Sequence, residues 1–206
     1  MAGGDVDLER LASVLPSRAA DAVSALFHPL AVVIGLLAYV AFTHTDGPAA
    51  ALGWFALTAG LTAGVPWLML RLLHRLGVVD DLQVVRRSQR PLLFAMTTVP
   101  LTFAVVLLGR FDPPLHLYAV QVGLLCGLLA IGIVSLVWKA SAHVAVLGGA
   151  VAILAVELPV VAVLVAAIIP LVAWARVRAG RHTVAQVLGG LVIGVVTSWW
   201  VFTTLA

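Results

Sequence analysis

Residues 143–175 read HVAVLGGAVAILAVELPVVAVLVAAIIPLVAWA, and Glu157 is the only charged side chain between His143 and Arg176. As one helix rising 1.5 Å per residue, this stretch would be roughly 50 Å long, against a hydrocarbon core of about 30 Å. Glu157-Leu158-Pro159 near its centre resolves the mismatch, because a carboxylate and a helix-breaking proline together mark a turn. The stretch therefore reads as two short, tilted membrane spans.

Working outward, the same pattern repeats. Spans are expected at 21–43, 49–73, 92–109, 115–138 and from about 183 to 206. His44 to Pro48 is a tight polar loop, and Arg110-Phe111-Asp112-Pro113-Pro114 is a turn by its prolines. Pro66 falls inside the second span, where neighbouring helices can resatisfy the backbone. Residues 1–20 carry Asp5, Asp7 and Glu9 where a signal peptide would be cationic, so a signal peptide is not expected. Val6, Leu8, Leu11 and Leu15 could instead form the apolar stripe of a short interfacial helix, or the segment could be a frayed polar terminus. The expected fold is an all-α polytopic transmembrane bundle of about six or seven spans. Residues 21–206 form one domain, with polar site loops at 74–91, 139–143 and 176–186.

Composition agrees. The chain is 63% hydrophobic and only 10% charged, where a soluble domain is about a quarter charged. Its mean hydropathy is +1.14 and its pI is near 9.8. The basic residues lie between hydrophobic spans, so they point to phosphate groups or lipid headgroups and not to nucleic acid. The single cysteine, Cys126, lies in an apolar run and supports no disulfide framework. Gly148-Gly149, Gly189-Gly190 and Gly194 would let helices approach closely. Trp199 and Trp200 suit the aromatic interfacial belt.

Counting crossings puts the segments 74–91, 139–143 and 176–182 at one membrane face. The loops around His44, Arg110 and Glu157 fall at the other. Arg110 is the only lysine or arginine on that second face. With the candidate site residues set aside, Arg10, Arg18, Arg71 and Arg75 still stand against it. The positive-inside rule then makes the basic face cytoplasmic, in a multi-pass protein of the cell membrane.

Three segments on that face set histidine beside cations. They are Lys139-Ala140-Ser141-Ala142-His143, Arg176-Val177-Arg178-Ala179-Gly180-Arg181-His182-Thr183 followed by Gln186, and Arg86-Arg87-Ser88-Gln89-Arg90-Pro91. Fixed cations and a hydroxyl can hold a tetrahedral oxyanion, and a guanidinium fork matches phosphate oxygens. Two histidines can divide the work, one attacking phosphorus and one protonating the leaving oxygen.

These residues resemble the type 2 phosphatidic acid phosphatase superfamily, which includes the vanadium haloperoxidases. Its motifs are KxxxxxxRP, PSGH and SRxxxxxHxxxD. Arg176 and His182 reproduce the spacing of the third motif, Ser141 and His143 stand where the second has its serine and histidine, and Arg90-Pro91 matches the end of the first. The likeness covers about residues 83–195. Gln83 stands in place of the first-motif lysine, Ala175 in place of a serine, and Gln186 in place of the aspartate that orients the nucleophile. Two spans also separate the first and second motifs, where many relatives have none. The chain is most similar to a divergent branch with R-x-x-R, K-x-S-x-H and R-H-T-x-x-Q patterns.

The resemblance implies a metal-independent phosphatase, with no cofactor, acting on a lipid phosphate or isoprenoid diphosphate. Arg176, Arg90, Lys139 and Arg87 would bind the phosphoryl group, with Ser141 donating a hydrogen bond. His182 would be the nucleophile, His143 the acid and then the base, and Gln186 the group orienting His182. Membrane lipids surround the chain, and its oligomeric state is open.

Other readings compete at each position. Arg86, Arg87 and Arg90 equally suit ordinary positive-inside residues, and Lys139 could snorkel to the headgroups. Asp80-Asp81 suits a solvated loop pair, Glu157 a turn, and His28-Pro29 a kink or packing role. At the level of function, Arg87-Ser88-Gln89-Arg90-Pro91-Leu92 after Asp80-Asp81 resembles a loop of UbiA-type prenyltransferases, which need clustered aspartates for Mg²⁺. A non-catalytic lipid-phosphate binder or transporter is the other alternative, favoured by Gln186.

Overall fold

The computed structural model describes residues 18–79 and 90–206, with the side chain of Arg90 outside that description. The interfacial reading of the first 17 residues and the roles of Arg86, Arg87, Asp80 and Asp81 lie outside the described residues. All regular structure among the described residues is helical. Six segments are long and apolar enough to cross a membrane: Arg18–Thr43, Pro48–Arg75, Pro91–Leu108, Leu115–Ser135, Pro159–Arg178 and Val184–Leu205. The chain is a multi-pass membrane protein by this measure. Ala142–Glu157 is apolar but shorter.

The first segment is two helices, α1 over 18–26 and α2 over Pro29–Thr43. They are broken at His28, whose extended backbone precedes Pro29 as the residue before a proline must. The His28 imidazole Nδ1 accepts the Leu30 N–H at 3.3 Å and so caps α2. The second segment is α3 (Pro48–Ala59), a π-helical turn at Gly60–Gly64, and α4 (Val65–Arg75). Pro66 explains the π turn, since its ring would clash with the carbonyl four residues back in a regular α-helix. The wider turn also aims the Thr62 hydroxyl at the buried Gln121 Oε1, 2.9 Å away. His74 and Val79 then close the end of α4 through a 3.0 Å contact between Nδ1 and a carbonyl.

Helix α5 (Arg90–Leu108) and α6 (Leu115–Ser135) follow, separated by the expected proline turn, where Asp112 takes φ +49°. The long apolar stretch does break at Glu157, into α7 (Ala142–Glu157) and α8 (Pro159–Ala166). A second break leads into α9 (Ile168–Arg178), because Pro170 cannot donate to the carbonyl of Ala166. Last comes α10 (Val184–Leu205).

Helices α7 and α10 form the most extensive pair, with α6 packed against α10 beside them. The small residues are the reason. A Cβ on Gly190 would strike the Ser141 backbone, and one on Gly194 would strike the backbone of Ala145. Gly148 and Gly149 face Leu191 and Ser198 in the same seam. One apolar cluster joins Leu37 and Val40 of α2, Leu117 and Val120 of α6, Ile153 of α7 and Phe202 of α10. A second gathers Val144, Leu147, Val172 and Val187 beneath the starts of α7 and α10. Outward-facing residues are apolar too, with Val160 77% and Val163 70% exposed. A water-soluble surface does not carry such a belt. Trp199 and Trp200 are both exposed near the end of α10.

Contacts at the two ends agree with the crossing count. Ser141 meets Gln186 and Lys139 meets Arg181 at one end, whereas His44, His116 and Glu157 meet at the other.

Candidate functional site at the basic end

The site is assembled where three chain segments turn at the basic end. Helix α9 ends in a glycine-closed turn, with Gly180 at φ +64° and the N–H groups of Arg181 and His182 both donating to the Arg176 carbonyl at 3.1 and 3.2 Å. Glycine takes this left-handed position without a Cβ penalty, and the two bonds satisfy the last-turn carbonyl. Arg176 and His182 are thereby held together although six residues apart in sequence.

Helix α10 then begins with a capping box. The Thr183 hydroxyl accepts the Gln186 N–H at 3.3 Å, and the Gln186 Oε1 accepts the Thr183 N–H at 3.1 Å. Two otherwise orphaned helix-start donors are satisfied in this way. Gln186 thus has a structural duty that the sequence reading missed, although T-x-x-Q is the signature that announces it. Its side chain also lies beside His182, where its polarity favours the protonated ring.

The segment before α7 is pressed onto this turn from the other side. The Trp138 ring packs against Gly189, where a Cβ would collide with it. The Lys139 ammonium donates to the Arg181 carbonyl at 2.6 Å, and the Ser141 N–H donates to the Gln186 carbonyl at 3.0 Å. Lys139 is therefore a strut between the two motif segments as well as a source of charge. Ser141 is fully buried at the N-cap of α7, but its hydroxyl caps nothing.

His143 lies one residue into α7. Its ring stands edge-on to that of His28, centroids 5.6 Å apart, with the backbone of Ser24 close by. Arg176 and His182 both act on it electrostatically. Asp21 and Arg181 act in turn on Arg176. Asp21, Ser24 and His28 thus join the site from the first span. No motif flagged Asp21 or Ser24, and His28 had read as a kink or packing residue, which it also is.

Burial and the neighbouring cations Lys139 and Arg176 lower the His182 pKa to about 4. Burial is the larger cause, since it penalises the charged imidazolium. The ring is therefore neutral at pH 7, as a nucleophile needs.

Four buried polar atoms at this end have no hydrogen-bond partner among the described residues: Ser24 Oγ, Ser141 Oγ, Arg176 Nε and His182 Nδ1. Buried polar groups are nearly always paired, so a cluster of unpaired ones calls for a ligand with matching groups. A phosphoryl group, with several acceptor oxygens, matches an Nε–H and two hydroxyls. Of the residues singled out from sequence, Arg176, His182, Lys139, Ser141, His143 and Gln186 are brought together. Arg87 and the Arg90 side chain lie outside the described residues. The cluster of metal-ligand type found among the described residues, His44, His116 and Glu157, is at the opposite end.

The fold and these residues define a multi-pass α-helical membrane protein with a cationic, histidine-bearing end. No family model, curated protein or solved structure matches the chain.

Proposed function

We propose that the protein is an integral membrane phosphatase that hydrolyses a lipid phosphate or isoprenoid (di)phosphate through a phosphohistidine intermediate. What supports this most directly is the coincidence of unpaired Arg176 Nε, Ser141 Oγ and His182 Nδ1 at one cationic end of the bundle. Donors and cations so grouped stabilise the charge that builds on equatorial phosphoryl oxygens in the transition state.

In the proposed reaction a neutral ring nitrogen of His182 attacks phosphorus as the P–O bond to the leaving group breaks. His143, neutral in the empty site, takes up a proton with the anionic substrate and gives it to the departing oxygen. Neutral His143 then takes a proton from water, whose oxygen attacks phosphorus, and the P–N bond breaks to release inorganic phosphate. Arg176 binds the phosphoryl oxygens throughout, with Lys139, Arg90 and Arg87 adding charge and Ser141 a hydrogen bond. Arginine supplies the charge that Mg²⁺ supplies in other phosphoryl-transfer sites. The site faces the cytoplasm on the arginine bias of its loops.

A non-catalytic lipid-phosphate binder is the second reading. One observation favours it: the Gln186 amide oxygen is engaged by the Thr183 N–H, and among the described residues no carboxylate replaces it on His182. Phosphate release by the purified protein from prenyl diphosphates and phosphatidate, without added Mg²⁺, separates the two. Turnover that disappears in His182→Ala and Arg176→Ala supports the phosphatase. Binding without turnover in the wild type leaves only the binder.

A further inference from the structure

The end of the bundle remote from the basic site carries a second set of chemically active side chains. His44 caps the end of α2, His116 is the second residue of α6, and Glu157 is the last residue of α7. Three helices distant in sequence thus bring their ends to one carboxylate. The His44 Nε2 lies 2.6 Å from Glu157 Oε2, and the His116 Nε2 lies 3.6 Å from Oε1. The two imidazoles stack, centroids 3.8 Å apart and only 10° from parallel. Phe202 packs edge-on to His116, and the Tyr39 hydroxyl donates to Glu157 Oε2 at 3.4 Å.

Glu157 needs this company. Its side chain is 10% exposed, and the partners it has among the described residues are the two histidines and Tyr39. A carboxylate so far out of water requires a cation or several donors. One shared proton satisfies the short contact to His44. It leaves Oε1 facing the second imidazole at 3.6 Å, too long for a hydrogen bond. That separation is close to the roughly 3.3 Å that two ligand atoms span on one tetrahedral zinc ion with bonds of about 2.0–2.1 Å. All three ligand atoms lie within 4.8 Å of one another.

We propose that His44, His116 and Glu157 form a binding site for a divalent transition-metal ion of the Zn²⁺ type. Two imidazole nitrogens and one carboxylate favour Zn²⁺, Co²⁺ or Ni²⁺ over Mg²⁺ or Ca²⁺, which prefer all-oxygen shells. Binding replaces the His44–Glu157 hydrogen bond. It needs those two atoms to part by roughly 0.7 Å and one ring to tilt out of the stack, so that both lone pairs converge. Tyr39 stays on the carboxylate as an outer partner. The histidine side chains are 24% and 33% exposed, so an ion enters from the aqueous face and water completes its coordination. The ion clips the ends of α2, α6 and α7 together. It lies at the other end of α7 from the basic site, so it stands independently of the phosphatase reading.

The test uses the full chain, purified in detergent with any affinity tag removed and stripped with chelator. Titration with Co²⁺ should give visible d–d absorption that saturates at one ion per chain and is displaced by Zn²⁺. Glu157→Gln and His116→Asn should each weaken Co²⁺ binding by more than the about 10–100-fold that outer-shell changes cause. Zn²⁺ should raise the Tm of the wild type and leave that of the variants unmoved. X-ray absorption on the wild-type zinc complex should show scattering from two imidazole rings, which serves even where a variant does not fold. No Co²⁺ uptake at micromolar concentrations, or uptake unchanged in both variants, would overturn the proposal. So would fewer than two imidazoles on the bound ion.

Discussion

The Ser141 N–H donates to the Gln186 carbonyl at 3.0 Å, tying the start of the helix that carries His143 to the turn that carries His182. Gly190, one helical turn after Gln186, makes this approach possible, because a Cβ there would collide with the Ser141 carbonyl oxygen and crowd its N–H. The two candidate catalytic histidines are thus positioned by a glycine rather than by each other.

Gly190→Ala and Gly194→Ala should each destabilise the protein by about 1–3 kcal/mol, since the added methyl meets backbone that cannot rotate away. A Cβ on Gly35 in α2 would meet nothing within 4 Å. Gly35→Ala should therefore fall within about 1 kcal/mol of wild type, on the stabilising side through helix propensity. Thermal unfolding in detergent measures all three. A Gly190→Ala protein as stable and active as Gly35→Ala would show that the close seam is not what holds the site.

The charge of Lys139 is one cause of the low pKa of His182, after burial. Removing it favours the protonated ring, so Lys139→Met should move the acidic limb of kcat/KM upward from near pH 4, as well as reducing the rate. Ionisation of the substrate cancels when both proteins are assayed on one substrate. An acidic limb that stays in place would mean that His182 is not the titrating nucleophile.

Gln186→Glu preserves the capping box, because glutamate serves at the third helical position as glutamine does. It also places a carboxylate beside His182, where a charge-assisted hydrogen bond is worth about 1.5–3 kcal/mol against about 1 for a neutral one. Monophosphate hydrolysis should rise about tenfold. Diphosphate hydrolysis should rise less, since its leaving group needs less help from the nucleophile. The ratio of the two rates is the measurement, and an unchanged ratio would separate Gln186 from the reaction.

Orientation is read by labelling. In a Cys126→Ser background, Phe111→Cys and Arg178→Cys place exposed thiols at opposite ends of the bundle. An impermeant reagent applied to intact cells should label position 111 and spare position 178. The reverse pattern would put the phosphate-binding end outside the cytoplasm.

The break at Glu157-Leu158-Pro159, the proline turn before α6 and the grouping of Lys139, Ser141 and His143 with Arg176 and His182 at one end were all legible in sequence. Hydrophobic length and turn chemistry belong to consecutive residues, and counting crossings follows from them. The π turn before Pro66 and the break before Pro170 were less so, because sequence shows that a proline perturbs a helix but not how the backbone relieves it. Which side chains meet was decided by tertiary structure alone. His28 against His143, Gln186 turned back to Thr183, and Glu157 shared by His44 and His116 each depend on how far every helix is rotated about its own axis. They depend equally on how closely α7 and α10 pack. Those quantities come from side chains and glycines facing each other across the bundle, and no stretch of consecutive residues contains them.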